Sequence, residues 1–341
     1  MTRHFCTYFD SVYLPRGLAL YRSMLAHAGS FRFWVLCLDA EAHRILTALS
    51  YPEIVPIRLE DVERGDQELL QAKGNRSQVE YYFTLTPSLP RWILKTAPEV
   101  ELVSYVDADL FLFSDPAPLF DELGAGSVMI IEHRFPPRLQ AKGFARVGRF
   151  NVGWLTFRRD AEGLACLERW RNQCIEWCYD RTEDGKFADQ KYLDDWPGRY
   201  RSLVVLQHPG GNLAPWNVEN YRIRASGDGE VTVNGHPLIF YHFQGLKHLY
   251  GPLYESGFGP YKTPLPRAVR RGIYRPYLKV LHEVMEEVRG RTGFDAAAGT
   301  KRLRQRPTLW LKIKGMLEFL RDVVFRRTFV IYRPPRGGIN A

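Results

Sequence analysis

Short apolar runs alternate with longer stretches of helical period through the first hundred residues. His4 to Phe9 reads as a strand, and Val12 to Ala28 as an amphipathic helix with Asp10 or Ser11 as its cap. Phe33 to Leu38 repeats the strand pattern, and Asp39 caps a helix that reaches Leu49. Glu53 to Ile57 is a third strand, with a polar helix near Leu59 to Ala72. Ser77 to Thr96 predicts a helical stretch interrupted at Pro87 and Pro90. Strand and helix in alternation imply an α/β fold, a mainly parallel sheet with helices on both faces. Beyond residue 100, Glu101 to Val106, Ser127 to Ile131 and Phe150 to Phe157 read as strands, and Ala161 to Tyr179 as a helix. Strand signals at Leu203 to Leu206, Tyr221 to Ala225, Glu230 to Val233 and Leu238 to Phe243, with the hairpin pair Asn234-Gly235, predict a more antiparallel later part.

With 341 residues, 45% of them hydrophobic, the chain can bury a large core, so disorder is not expected. No apolar run has membrane-spanning length, and Met1 to Phe5 lead straight into a strand, so a cytosolic protein is expected. Five cysteines without a Cys-x-x-Cys pair read as small core residues, Cys174 and Cys178 on one helical face among them. The charge divides sharply. From residue 261 onward there are 19 Lys and Arg against 6 Asp and Glu, whereas the preceding residues are mildly acidic. The Pro- and Gly-rich stretch Gly251 to Pro266 marks the boundary between a body of residues 1–258 and a basic, helical extension of residues 259–341. Within that extension Leu309, Ile313, Met316, Leu317, Leu320 and Val324 recur at helical spacing in Pro307 to Arg333, among Lys and Arg. Such a helix suits an anionic membrane surface; docking on the body or on a second subunit fits the same pattern.

The chemistry concentrates where the Glu101 to Val106 strand ends. Asp107 and Asp109 stand two apart just beyond it, at the sheet edge where open α/β folds bind ligands. Residues two apart in extended chain point the same way, so both carboxylates can meet one hard cation, Mn²⁺ or Mg²⁺, shared with phosphates. A helix-capping Asp beside a solvated one is the plainer alternative. Three other segments carry similar ambiguity. Asn151 and Gly153 sit in an apolar strand, Asp189-Gln190 opens a helix, and His242-Phe243-Gln244-Gly245 with Lys247 ends a strand. The loop His208 to Asn217 suits the lining of a sugar or acceptor site, or is a simple Pro/Gly turn cluster.

In this order, Asp107-Ala108-Asp109, Asn151-Val152-Gly153, Asp189-Gln190 and His242-Phe243-Gln244-Gly245 resemble the signature of GT-A nucleotide-sugar glycosyltransferases, most of all the retaining branch with glycogenin and the bacterial lipopolysaccharide galactosyltransferases. The resemblance covers about residues 3 to 250 and departs at Lys247, which follows Gly245 after one residue rather than two and precedes His248 rather than Pro-Trp. It implies a GT-A catalytic domain over 1–258. It further implies a metal held by Asp107, Asp109 and His242, and nucleotide contacts from Thr7, Tyr8, Asp10, Tyr13, Arg76, Asp107 and Lys247. Asp189, Gln190 and Asn151 would work on the sugar. The implied reaction is metal-dependent transfer from a nucleoside diphosphate sugar, UDP-linked, to a glycan or glycolipid, with retention, as in lipopolysaccharide or polysaccharide biosynthesis. A sugar nucleotidyltransferase (pyrophosphorylase) is the enzymatic alternative, but Thr7 to Ser11 is not the Gly-rich loop such enzymes carry after the first strand. A nucleic-acid-binding protein is the other; the extension has no zinc or RNA-recognition signature, and no nucleic-acid partner is expected.

Overall fold

A computed structural model of the chain describes residues 2–227, 229–250, 253–296 and 329–332. In chain order the first strands are β1 (Arg3–Phe9), β2 (Phe31–Cys37), β3 (Ile54–Arg58), β4 (Leu102–Val106), β5 (Leu110–Leu112), β6 (Val128–Glu132), β7 (Phe150–Arg158) and β8 (Leu203–Val205). All but β5 join one sheet in the order β3-β2-β1-β4-β7-β6-β8. β7 alone runs against its neighbours, β4 and β6. The sheet is thus mixed and mainly parallel.

Period-2 alternation assigns its two faces. Along β1, Phe5 and Phe9 enter a core with the helices Leu14–His27 and Ala40–Leu49, while Cys6 faces the opposite core. That second core contains Leu85, Leu89 and Ile93 of the helix Gln78–Thr96 and Cys166, Trp170 and Cys174 of the helix Ala161–Glu176. All five cysteines are buried free thiols, as small core residues should be.

Several elements differ from the sequence expectation. The helix Gln78–Thr96 runs unbroken through Pro87 and Pro90. Both prolines are buried, and the helix is anchored at its start by a reciprocal Ser77/Glu80 capping box, so tertiary packing and capping outweigh two missing N–H donors. The polar stretch after β3 divides into Leu59–Glu63 and Gln67–Gly74, because Asp66 caps a new helix by accepting from Leu69 N at 3.0 Å. The helix after Asp160 stops at Glu176, where Trp177 is extended.

The later part is antiparallel. β9 (Ile223–Ala225), β10 (Val231–Val233) and β11 (His236–Pro237) form a meander closed by Asn234 and Gly235, both at positive φ. β12 (Phe240–His242) pairs with β5, and β13 (Leu246–Tyr250) with β14 (Leu253–Ser256). The predicted helix over 307–333 lies outside the described residues except at its end, where Phe329–Ile331 form a strand, β15, on β14. There the pairing of β15 with an open strand edge replaces helical periodicity. The helix Arg275–Thr292 places Val284 and Val288 in the first core; its Glu287 accepts from Tyr51 at 2.6 Å and pairs with Arg22. Among the described residues, no helix is long and apolar enough to cross a membrane.

Candidate active site

β4 delivers Asp107 to the carboxyl edge of the sheet, and a tight turn, Leu110 N to Asp107 O at 3.1 Å, folds Asp109 back beside it. β5 then starts at once and pairs with β12 in the register Leu110↔His242. His242 is thereby held across from Asp109, whose carbonyl accepts from Phe243 N at 2.9 Å. One ligand atom each of Asp107, Asp109 and His242 lie within 4.8 Å of one another. His242 Nε2 is 3.1 Å from Asp109 Oδ1 and 3.6 Å from Asp107 Oδ2.

The electrostatics follow from burial against charge. Burial alone would lower His242, but the charge and hydrogen bond of Asp109, helped by Asp107, raise it above the usual imidazole value. Burial would likewise raise Asp109, yet His242 and the guanidinium of Arg16 hold it below the carboxylate range. Asp107 is raised by burial and by Asp109 against the pull of His242, and it accepts a hydrogen bond from Tyr105 Oη at 2.9 Å. The cluster is therefore an imidazole between two carboxylates, a donor set that fits a divalent cation such as Mn²⁺.

β7 approaches from the other side because it runs antiparallel to β4. Gly153 O accepts from Asp107 N at 3.0 Å, and Asn151 Oδ1 accepts from Gly153 N at 3.0 Å. Gln190 lies next to this strand: its Oε1 faces Asn151 Nδ2 and Val152 N at 3.4 Å each, and its Nε2 donates to Val147 O at 2.8 Å. Asp189 is buried, and burial, opposed by the Thr86 hydroxyl and aided by Asp107, pushes its carboxyl up to about 7. The chain reaches it through Ala188 at φ 45°, a left-handed conformation that a non-glycine residue adopts at a cost of about 1 kcal/mol or more. Asp189 and Gln190 precede a short 3₁₀ turn without a side-chain cap, so neither is spent on capping.

The remaining expected residues are spread around this corner. Thr7 is fully buried in β1, and its Oγ1 has no hydrogen-bond partner. Tyr8 shares a hydrogen bond with Thr86 at 3.1 Å, its ring 5.8 Å from that of Tyr105. Asp10 accepts from Tyr13 N at 2.8 Å, and Tyr13 is 39% exposed. Arg76 ties two helices together, donating to Thr84 Oγ1 at 2.6 Å and to Ile175 O at 2.5 Å. Lys247 stands 68% exposed on β13 with Glu255 at 3.8 Å.

Trp216, from the loop expected to line a sugar or acceptor site, and two residues the sequence did not single out, His133 and Arg16, complete the surroundings. Trp216, in the loop His208 to Asn217, is buried rather than open to a ligand; its ring meets His242 edge-on at 5.2 Å and its Nε1 donates to His133 O at 2.7 Å. Burial takes His133 down to about 3. Arg16 places its guanidinium 4.5 Å from the Tyr13 ring centre, and only the three-residue helical spacing from Tyr13 signals it in sequence.

The mainly parallel sheet flanked by helices has the GT-A fold, with the acid-acid-imidazole cluster at its carboxyl edge. The fold is that of the galactosyltransferase LgtC, solved in complex with donor and acceptor sugar analogs, with a TM-score of 0.51 at 17% identity over 84% of this chain and 99% of that one. No family model matches the chain. Among proteins related in sequence, it is 32% identical over 289 residues to the uncharacterized protein YfnD of Bacillus subtilis (strain 168), spanning 84% of this chain and 91% of YfnD. It is 32% identical over 256 residues to the uncharacterized YfnF of the same organism, 72% of this chain and 82% of YfnF. The chain belongs to the family of YfnD and YfnF.

Proposed function

We propose that the protein is a metal-dependent glycosyltransferase. It moves a sugar from a nucleoside diphosphate, UDP first among the candidates, to a hydroxyl of a glycan or glycolipid, with retention at the anomeric carbon. The convergence of Asp107, Asp109 and His242 at the carboxyl edge carries this reading. The fold shared with LgtC, whose solved complex holds donor and acceptor sugar analogs, supports it.

Asp107, Asp109 and His242 would hold Mn²⁺ or Mg²⁺. When bound, the cation supplies Lewis-acid stabilisation of the charge that develops as the diphosphate departs. Tyr8, Asp10 and Tyr13 flank the end of β1, where the nucleoside would lie, with the 39% exposed Tyr13 offering its ring to the base and Thr7 buried within the strand. Arg76 braces the helix that flanks it. Asp189 accepts hydrogen bonds from sugar hydroxyls. Gln190, fixed by Val147 O and facing Asn151, presents its amide near the anomeric carbon. The strongly basic residues after 260 would hold the enzyme against an anionic membrane surface, where a glycolipid acceptor would lie.

A thermal-shift panel of nucleotide sugars with and without Mn²⁺ tests the proposal. The true donor should stabilise the protein only when the metal is present, by about 2.7 kcal/mol at a hundredfold excess over Kd. Equal shifts without metal, or none across the panel, would overturn it.

A further inference from the structure

Arg16 lies in the first turn of the helix Leu14–His27, just beyond Tyr13 and the end of β1. Its Nη1 donates to Tyr13 Oη at 3.2 Å and its Nη2 to the carbonyl of Leu246 at 2.5 Å. Both acceptors are neutral. Burial works against the charge of Arg16, the carboxylate of Asp109 favours it, and Arg16 in turn helps keep Asp109 ionised. Arg16 is half-buried, and a guanidinium held there on neutral oxygens is stabilised further when an anion completes its shell. Its planar fork still has N–H groups to offer, in the geometry that suits two oxygens of a phosphate.

Lys247 lacks that setting. On β13 the side chains alternate, so Leu246 is buried, and Lys247 turns outward to face its cross-strand neighbour Glu255. A change of one residue in the spacing after Gly245 is enough to reverse the face on which a strand residue emerges. The Leu246 carbonyl that points back into the molecule is the one Arg16 holds.

We propose that Arg16 is the protein cation that binds the diphosphate of the nucleotide, and that Lys247 is not. This inference rests on the nucleoside diphosphate sugar reading of the site, and it adds the residue that recognises the phosphates. Arg16 at once grips the diphosphate, stacks on Tyr13 and ties down the start of β13, so nucleotide binding and the order of the turn that leads into β13 are linked through one side chain.

The test is calorimetric titration of Mn²⁺-loaded protein with UDP, GDP, CDP, dTDP and ADP, comparing wild type with Arg16→Gln, Arg16→Lys and Lys247→Ala. The parent nucleoside is followed in parallel by ligand-observed NMR. For the diphosphate that wild type binds, Arg16→Gln should raise Kd tenfold or more, Arg16→Lys less, and Lys247→Ala less than twofold. Nucleoside binding should be the same in wild type and Arg16→Gln. Loss of affinity in Lys247→Ala with Arg16→Gln unaffected would overturn the assignment. So would equal loss of nucleoside and diphosphate in Arg16→Gln, which would reduce Arg16 to a support for Tyr13. If Arg16→Gln does not fold, Lys247→Ala decides: retained affinity supports the assignment, and lost affinity overturns it. A wild type that binds none of the diphosphates overturns the glycosyltransferase reading itself.

Discussion

Gly153 and His242 occupy a space that only a missing side chain allows: a Cβ on Gly153 would come within 2.9 Å of His242 Nδ1 and 2.6 Å of Asn151 Oδ1. Gly153→Ala should therefore displace the imidazole from its carboxylates while adding a single methyl group. Overpacking of this kind costs about 1–3 kcal/mol. We expect a lower melting temperature together with a loss of Mn²⁺ affinity measured by electron paramagnetic resonance. A variant that binds Mn²⁺ like wild type would show that the glycine serves packing alone.

Asp109→Ala should abolish transfer, by at least about a hundredfold in kcat, and leave the fold intact. Asp109 is buried against His242, so Asp109→Asn is the gentler probe, keeping the shape and removing the charge. Circular dichroism and product formation measured together decide the matter. Full metal-dependent activity in the alanine variant would rule out the metal corner.

His242 is raised above the usual imidazole range by its two acidic neighbours, so it keeps its proton to higher pH than a free histidine. A metal must displace that proton. Mn²⁺ affinity should thus weaken as pH falls, by up to about tenfold per unit once below the raised value. Chelation by EDTA should then destabilise the metal-loaded protein more at pH 8 than at pH 6. Melting curves at the two pH values check this; a larger drop at pH 6 contradicts it.

Asp189 carries the opposite sign. Its carboxyl is raised to about 7 in the folded protein, while an unfolded aspartate titrates near about 3.9. The folded state then binds more protons between those values, so stability declines as pH rises from about 4 to 7 and is flat above. A shift of about three units corresponds to at most about 4 kcal/mol. Asp189→Asn should melt higher than wild type at pH 7.5 and lose that advantage near pH 4. It should also be slowed in sugar transfer, because one of the two oxygens that accept from sugar hydroxyls becomes an NH₂ donor. Equal melting temperatures at pH 7.5 would show that Asp189 is not held as described.

Much of this arrangement is legible in the chain. The β1 to β4 strands and the Asp39 cap emerge from local periodicity, because each is a short buried segment with ordinary punctuation. What the pattern hides depends on tertiary partners. Pro87 and Pro90 read as breaks, yet the packing of Leu85, Leu89 and Ile93 carries the helix through them. β5, three residues long, is visible only once β12 pairs with it. Asp107 and Asp109 stand out in sequence as an acidic pair at a strand end, and His242 joins them there only through the family resemblance; the fold brings the three together. Arg16 does not stand out, since an Arg in a helix says nothing until its neighbours are known, and the loop of Trp216 is legible only as a candidate lining, not as a ring buried against His242.

The ladder of β5 with β12 has a consequence for how the protein is made. Both aspartates leave the ribosome long before residue 242, and the third ligand arrives only after the meander of β9 to β11. A nascent chain halted before β12 has the first strands and an acidic pair without its imidazole. Competence therefore comes late and all at once, and truncated products should neither retain the metal nor hydrolyse nucleotide sugars.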